Sequence, residues 1–504
     1  MSILQPEDPS SGVKADRMAV GTAASLGATI ISRIAGIMNS IIIIRALGVY
    51  DVGVFAIIGL IIAVASVTAS LGVPPALVKF LSGPNPGAFR EPGRFIGAGL
   101  VIVGISTGTT VAILVLLAPV LSVSVYKDSR IPSLILVSLI SVVISVVASA
   151  LFSVFQGFER ILEMSICDMA ISGISIPVTY VLVQRSALLG AVLVSVASAG
   201  IAVLVKLPLL KRVWREHGIK LTFPREPKPY RTVLSFSIPA FLSTLMITPV
   251  LWFSSTLLAT GGSFTALGEY SVANGLAGYL LLISASVGVP MVPVVARLNR
   301  DDPSRVSDFL IKTFRITAFL SLPPAVVLIA LPSPFLRLLY GSPYVTASSL
   351  VLILGPAMFL ASLSSIVGYS IAGVGRMWDG FCLNLVWGVG LVVLSLALVP
   401  GYGATGLALA FLGAYMSHFV AVLLYIRFAF AAPLKAVRAP VGIAAVALLG
   451  SALVYPLERP WNLAAVSVGL VILTLVEYLS MSARELAIVV RPARRLFTWI
   501  GRLL

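Results

Sequence analysis

Fourteen stretches of this chain are each apolar for long enough to cross a lipid bilayer, and the loops between them are short. A helix needs about 20 residues to cross a ~30 Å hydrocarbon core, where each backbone polar group must find its partner within the chain. This pattern restricts the fold to an all-α polytopic membrane protein. The runs cover 18–44, 52–73, 95–121, 131–156, 164–184, 187–210, 232–260, 266–296, 309–331, 345–371, 379–399, 404–426, 440–456 and 461–480. The closest neighbours, 164–184 and 187–210, have little more than Arg185 between them. With 59% hydrophobic and 11% charged residues, the chain is too apolar to enclose its surface around a water-facing core.

The net charge of +16 is not the signature of a nucleic-acid partner, because the basic residues lie mostly between apolar runs and so report topology. With an inside amino terminus, 27 of the 35 Lys and Arg fall in inner segments and 6 in outer ones. That bias predicts a multi-pass cell-membrane protein with both termini cytoplasmic. Residues 1–17 are polar and have no leading apolar region, so no cleavable signal peptide is expected. The two cysteines, Cys167 and Cys382, have neither metal-site spacing nor the number for a disulfide framework.

The chain also repeats itself. Ala46-Leu47-Gly48-Val49-Tyr50 returns as Ala266-Leu267-Gly268-Glu269-Tyr270, Gly72-Val73-Pro74 as Gly288-Val289-Pro290, and Gly157 with Arg160 as Gly373 with Arg376. The offsets are 220, 216 and 216, so the repeat spans six helices and both copies take the same orientation. The expected organisation is a cytoplasmic tail (1–17), a six-helix N-lobe (18–210) and a basic linker (211–231), then a six-helix C-lobe (232–427). Two extra helices (436–480) and an amphipathic basic tail (481–504) complete it.

Arg33 is the sharpest candidate for chemistry. It stands about fifteen residues into the first run, ~22 Å of helix rise and too deep to snorkel. Such a charge must face a protein interior or a wet cavity, where it binds an anion or pairs with an acid of another helix. Ser32, Gly36, Asn39 and Ser40 make its surroundings small and polar. On the seventh run Ser237, Thr244, Thr248 and Ser255 form a polar stripe, and Tyr270 and Asn274 stand one turn apart on the eighth. Such stripes line a cavity or hold helices together. Lys206, Asp168 and His418 are candidates for gating or ion coupling, each with an ordinary packing role as the rival. Pro239, Pro249, Pro290 and Pro293 predict bends in the seventh and eighth runs. No P-loop, dinucleotide fingerprint or metal triad occurs.

Ser32-Arg33-Ile34-Ala35-Gly36 followed by Arg45-Ala46-Leu47-Gly48 resembles the opening of the lipid II flippases. The run from Arg45 through Val49-Tyr50-Asp51-Val52, with Leu71-Gly72-Val73-Pro74-Pro75, looks more like the O-antigen and polysaccharide flippases. Both belong to the multidrug/oligosaccharidyl-lipid/polysaccharide (MOP) exporter superfamily. The resemblance implies two six-helix lobes around a cavity. It also implies alternating-access movement of a polyprenyl-diphosphate-linked glycan from inner to outer leaflet, with Arg33 meeting the diphosphate. Asn39 stands near a position where lipid II flippases often carry an acid. The expected partners are the lipid-linked glycan, the bilayer and glycan-assembly enzymes, with no nucleic acid and a monomeric state. No cofactor is expected, and coupling would come from an ion or the membrane potential. The rival readings are a multidrug cation antiporter of the same superfamily, disfavoured by an arginine where an acid is expected, and a membrane polysaccharide polymerase or ligase. Short outer loops argue against the latter.

Overall fold

A computed structural model describes residues 31–82, 92–158, 160–430, 435–454 and 469. The tail at 1–17, the start of the first expected span, the span at 461–480 except residue 469, and the basic tail at 481–504 lie outside the described residues. Among the described residues every regular element is helical, as the apolar runs require. The protein is therefore an all-α polytopic membrane protein. It divides into two compact units, Met1–Trp252 and Phe253–Leu504.

The first unit starts with α1 (31–46), α2 (Val49–Ser70) and α3 (Val73–Ser82). It continues through α4 (Pro92–Val120), a π-helical turn (Leu121–Tyr126), α5 (Ile131–Gly157), α6 (Ile161–Glu216) and α7 (Pro227–Leu245). At its centre α5 packs against α2, α3, α4 and α6. Its small residues permit this: Gly157 lies so near Leu81 of α3 that a Cβ there would meet the leucine side chain. The basic strap returns along α4, where Gly93 and Gly97 sit against the backbone carbonyls of Lys220 and Thr222. Helix α7 then packs on α3, with Phe236 near Phe80 and beneath the Lys79 ammonium, 4.0 Å from the ring centroid. Where α4 gives way to α5, Arg130 bridges two acids, at 2.9 Å to Asp51 and 2.9 Å to Asp128.

At 56 residues, α6 would be about 84 Å long if straight, far more than one bilayer crossing. It instead reverses at Ser186 (φ −139°, ψ 17°) and Ala187 (φ 40°, ψ −114°). Residues eight apart in one straight helix are ~12 Å apart, yet a Cβ on Gly190 would collide with the carbonyl of Leu182. The element is therefore two antiparallel limbs joined by a two-residue turn.

The second unit contains α8 (Ile247–Gly261), which begins just before the boundary, then α9 (Phe264–Gly278), α10 (Leu281–Asp301) and α11 (Ser304–Ala330). The short α12 (Pro332–Leu339), a 3-10 turn (Ser342–Ala347), α13 (Ser348–Val374), α14 (Met377–Ala429) and α15 (Lys435–Val454) follow. Its central helix is α13, packed against α9, α10, α11 and α14. Helix α14 repeats the reversal of α6. Gly403 (φ 53°, ψ −129°) stands 216 residues after Ala187, and Gly406 meets the Leu398 carbonyl as Gly190 meets that of Leu182.

The seventh and eighth runs are each divided. The first break falls at Met246, between α7 and α8, which places Pro249 in the first turn of α8, where its missing N–H is harmless. The second falls at Tyr279–Leu280, ten residues before Pro290; Pro290 and Pro293 both lie inside α10.

Candidate functional site

The first unit holds a cavity of about 690 Å³ whose wall includes Ser32 and Arg33 of α1, Gln156 of α5, and Ser165, Asp168 and Ser172 of α6. Its volume suits a small-molecule or headgroup ligand (roughly 300–1,000 Å³). Arg33 is exposed, and among the described residues its guanidinium forms no ion pair or hydrogen bond. The Ser172 hydroxyl fixes the local geometry. It lies 2.9 Å from the Ser32 hydroxyl and 2.7 Å from the Asp168 carbonyl oxygen, tying the turn that carries Asp168 to the residue before Arg33.

The acid in this wall is already neutralised. Lys206, on the returning limb of α6, places its ammonium 2.7 Å from the Asp168 carboxylate and 5.3 Å from the Phe152 ring centroid. Lys206 is only 8% exposed, whereas Asp168 keeps about a third of its side-chain surface open to the cavity. A second cavity of about 390 Å³, lined by Lys206, Phe152 and a row of α5 serines (Ser145, Ser149, Ser153), shares Val78, Gln156 and Met164 with the first. The ion pair thus stands at the seam between two chambers. Among the described residues, Arg33 and Lys206 against Asp168 leave one positive charge in excess.

The other residues singled out in the sequence lie elsewhere. The Asn39 amide donates to Ser175 at 2.9 Å while its own carbonyl oxygen is buried without a partner, so Asn39 joins α1 to α6. Ser40 and Thr248 are half-buried, and neither lines either cavity. The Thr244 side chain lies outside the described residues. In the second unit Tyr270 is buried, and Asn274 is half-buried with its carbonyl oxygen unpartnered. His418 is 8% exposed, with its Nδ1 2.9 Å from the carbonyl of Leu383, an interlimb contact within α14.

Sequence reasoning missed Ser165 and Ser172. The signal was present: Ser165, Asp168, Ser172 and Ser175 follow at steps of three, four and three, which puts them on one face of a helix.

The fold is that of the MOP superfamily. It resembles the lipid II flippase MurJ in an inward closed conformation, with a TM-score of 0.65 at 16% identity, over 90% of this chain and 97% of that one. It resembles an inward-facing multidrug resistance MATE transporter of the same superfamily at 0.66 and 14%, over 79% and 94%. The "EPS I polysaccharide export inner membrane protein EpsE" of Ralstonia solanacearum is 26% identical over 406 residues, 77% of this chain and 89% of that protein. The family model described as "Polysaccharide biosynthesis protein" matches residues 42–349, and the chain belongs to that family.

Proposed function

We propose that this protein is a transporter that carries a lipid-diphosphate-linked oligosaccharide from the inner to the outer leaflet by alternating access, with no catalytic step of its own. The observation that carries this reading is Arg33: among the described residues its guanidinium has no partner, and the one described acid of the chamber it lines is already held by Lys206. An anion gains there what the protein does not supply, and a planar guanidinium offers a phosphate two parallel hydrogen bonds. Membership of the polysaccharide biosynthesis family and the relative named for polysaccharide export support a glycan cargo. The inner-membrane name of that relative supports the same location here, and the loop charges support cytoplasmic termini.

The excess positive charge weighs against the cationic-drug reading. The test is export of the glycan in cells whose only copy carries Arg33→Ala. Export should drop at least tenfold, roughly the loss of one charged hydrogen-bond pair, with membrane insertion unchanged. Normal export by that variant refutes the reading, and drug resistance conferred by the wild type would replace it with the antiporter.

A further inference from the structure

Lys206 is almost buried, and burying an ammonium is costly unless an anion stands beside it. Its anion is Asp168, and Asp168 is not buried with it: the carboxylate opens onto the chamber that Arg33 lines. The partner of the buried cation is therefore the group of the pair that a ligand in the Arg33 chamber can reach and replace, while Lys206 borders the second chamber. Resting on the reading of Arg33 as an anion anchor, we infer that Asp168 is a resident counter-ion which the substrate displaces from Lys206, and that Asp168 releases the substrate by retaking Lys206.

The geometry gives each group a part. Ser172 holds the Asp168 turn against Ser32, so an anion seated on Arg33 lies in the same chamber as the carboxylate that holds Lys206. A single phosphate is satisfied by Arg33. A diphosphate carries a second anionic centre with the charge to compete for Lys206, since attraction scales with the product of the charges. Phe152 borders the ammonium in the second chamber, its ring centroid 5.3 Å away. The exchange also limits affinity: each gain from Lys206 meeting phosphate is offset by Lys206 leaving Asp168. A carrier needs this, because cargo bound too tightly on one side is not released on the other.

The test uses the full-length protein in nanodiscs, with farnesyl diphosphate and farnesyl monophosphate as probes, alongside glycan export in cells. Asp168→Asn removes the competitor. It should bind the diphosphate about tenfold tighter and export at least severalfold more slowly. Lys206→Met should bind the two probes equally. In the Lys206→Met background, Asp168→Asn should change diphosphate affinity less than about twofold, because the coupling between the two sites is gone. That double variant carries neither charge, so it leaves no unpaired buried ion and keeps the test readable should Asp168→Asn alone misfold. If the gain from Asp168→Asn survives without Lys206, a through-space field explains it and the exchange is refuted. Wild-type export by Asp168→Asn refutes the release role. Arg33→Ala separates the layers: retained binding of both probes overturns the anchor itself, whereas lost binding without Asp168–Lys206 coupling overturns only the exchange.

Discussion

Asp128 occupies the turn before α5 and is almost fully buried there. Its carboxylate accepts from the Arg130 guanidinium and backbone N–H at 2.9 Å each and from the Tyr50 hydroxyl at 3.2 Å. The Arg130 hydrogen bonds, foremost, hold this carboxyl below the usual carboxylate range despite burial. A depressed folded value means that the contribution is complete above the unfolded value of about 3.9 and is lost as pH falls through the lower folded value. Asp128→Asn should therefore lower thermal stability by about 1–2 kcal/mol at neutral pH, a figure discounted for the half-exposed Arg130. The gap from wild type should stay constant down to about pH 4 and close below it. Melting curves in detergent across pH 3–8 check this, and a gap that closes near pH 6 would assign the effect to another group. At the cavity, Arg33→Lys keeps the charge and loses the planar fork, so export should fall between wild type and Arg33→Ala.

Arg33 was legible in the sequence because one charge in an apolar run has few places to go. Its surroundings were not. Asp168 and Lys206 are 38 residues apart in the sequence and meet because α6 doubles back; the gap between the runs 164–184 and 187–210 marks that reversal, but hydropathy does not say which side chains it sets face to face.

At the scale of elements, the reversals of α6 and α14 make a natural comparison. Ala187 has a positive φ that costs an L-residue roughly 1 kcal/mol, while its counterpart is Gly403. Ala187→Gly should therefore stabilise the first unit by up to about 1 kcal/mol, less the extra backbone entropy of the unfolded glycine. Gly190→Ala and Gly406→Ala should each destabilise by at least about 1–3 kcal/mol, because the added methyl meets a backbone carbonyl on the facing limb. Gly200→Ala, with open space around it, is the control. Equal melting temperatures for all three alanine variants would dismiss the close-packed hairpin. Hydropathy placed the apolar runs, since lipid rewards any sufficiently long one. It was blind to the break at Tyr279–Leu280, which no proline marks, and the prolines of that run, Pro290 and Pro293, lie within α10.

For the molecule as a whole, the proposed carriage of an anion makes charge the main term in the energetics of the transport cycle. An inside-negative potential favours outward movement of an anion by ~2.3 kcal/mol per charge per 100 mV, and it draws an empty, positively lined carrier back inward. Flipping in proteoliposomes should accelerate severalfold when a potential of that sign is imposed and slow when it is reversed. Identical rates under both polarities would show that the charge-bearing step does not limit turnover.

The paired limbs of α6 also decide where this chain tolerates added sequence. A peptide tag needs a stretch of backbone free to bulge, and a reversal completed at Ser186 and Ala187, with Gly190 pressed on Leu182, has none to lend. An epitope spliced there should pry the limbs apart and remove Lys206 from Asp168, abolishing export. The same epitope spliced beside the exposed Glu226, in the strap ahead of α7, should leave export intact.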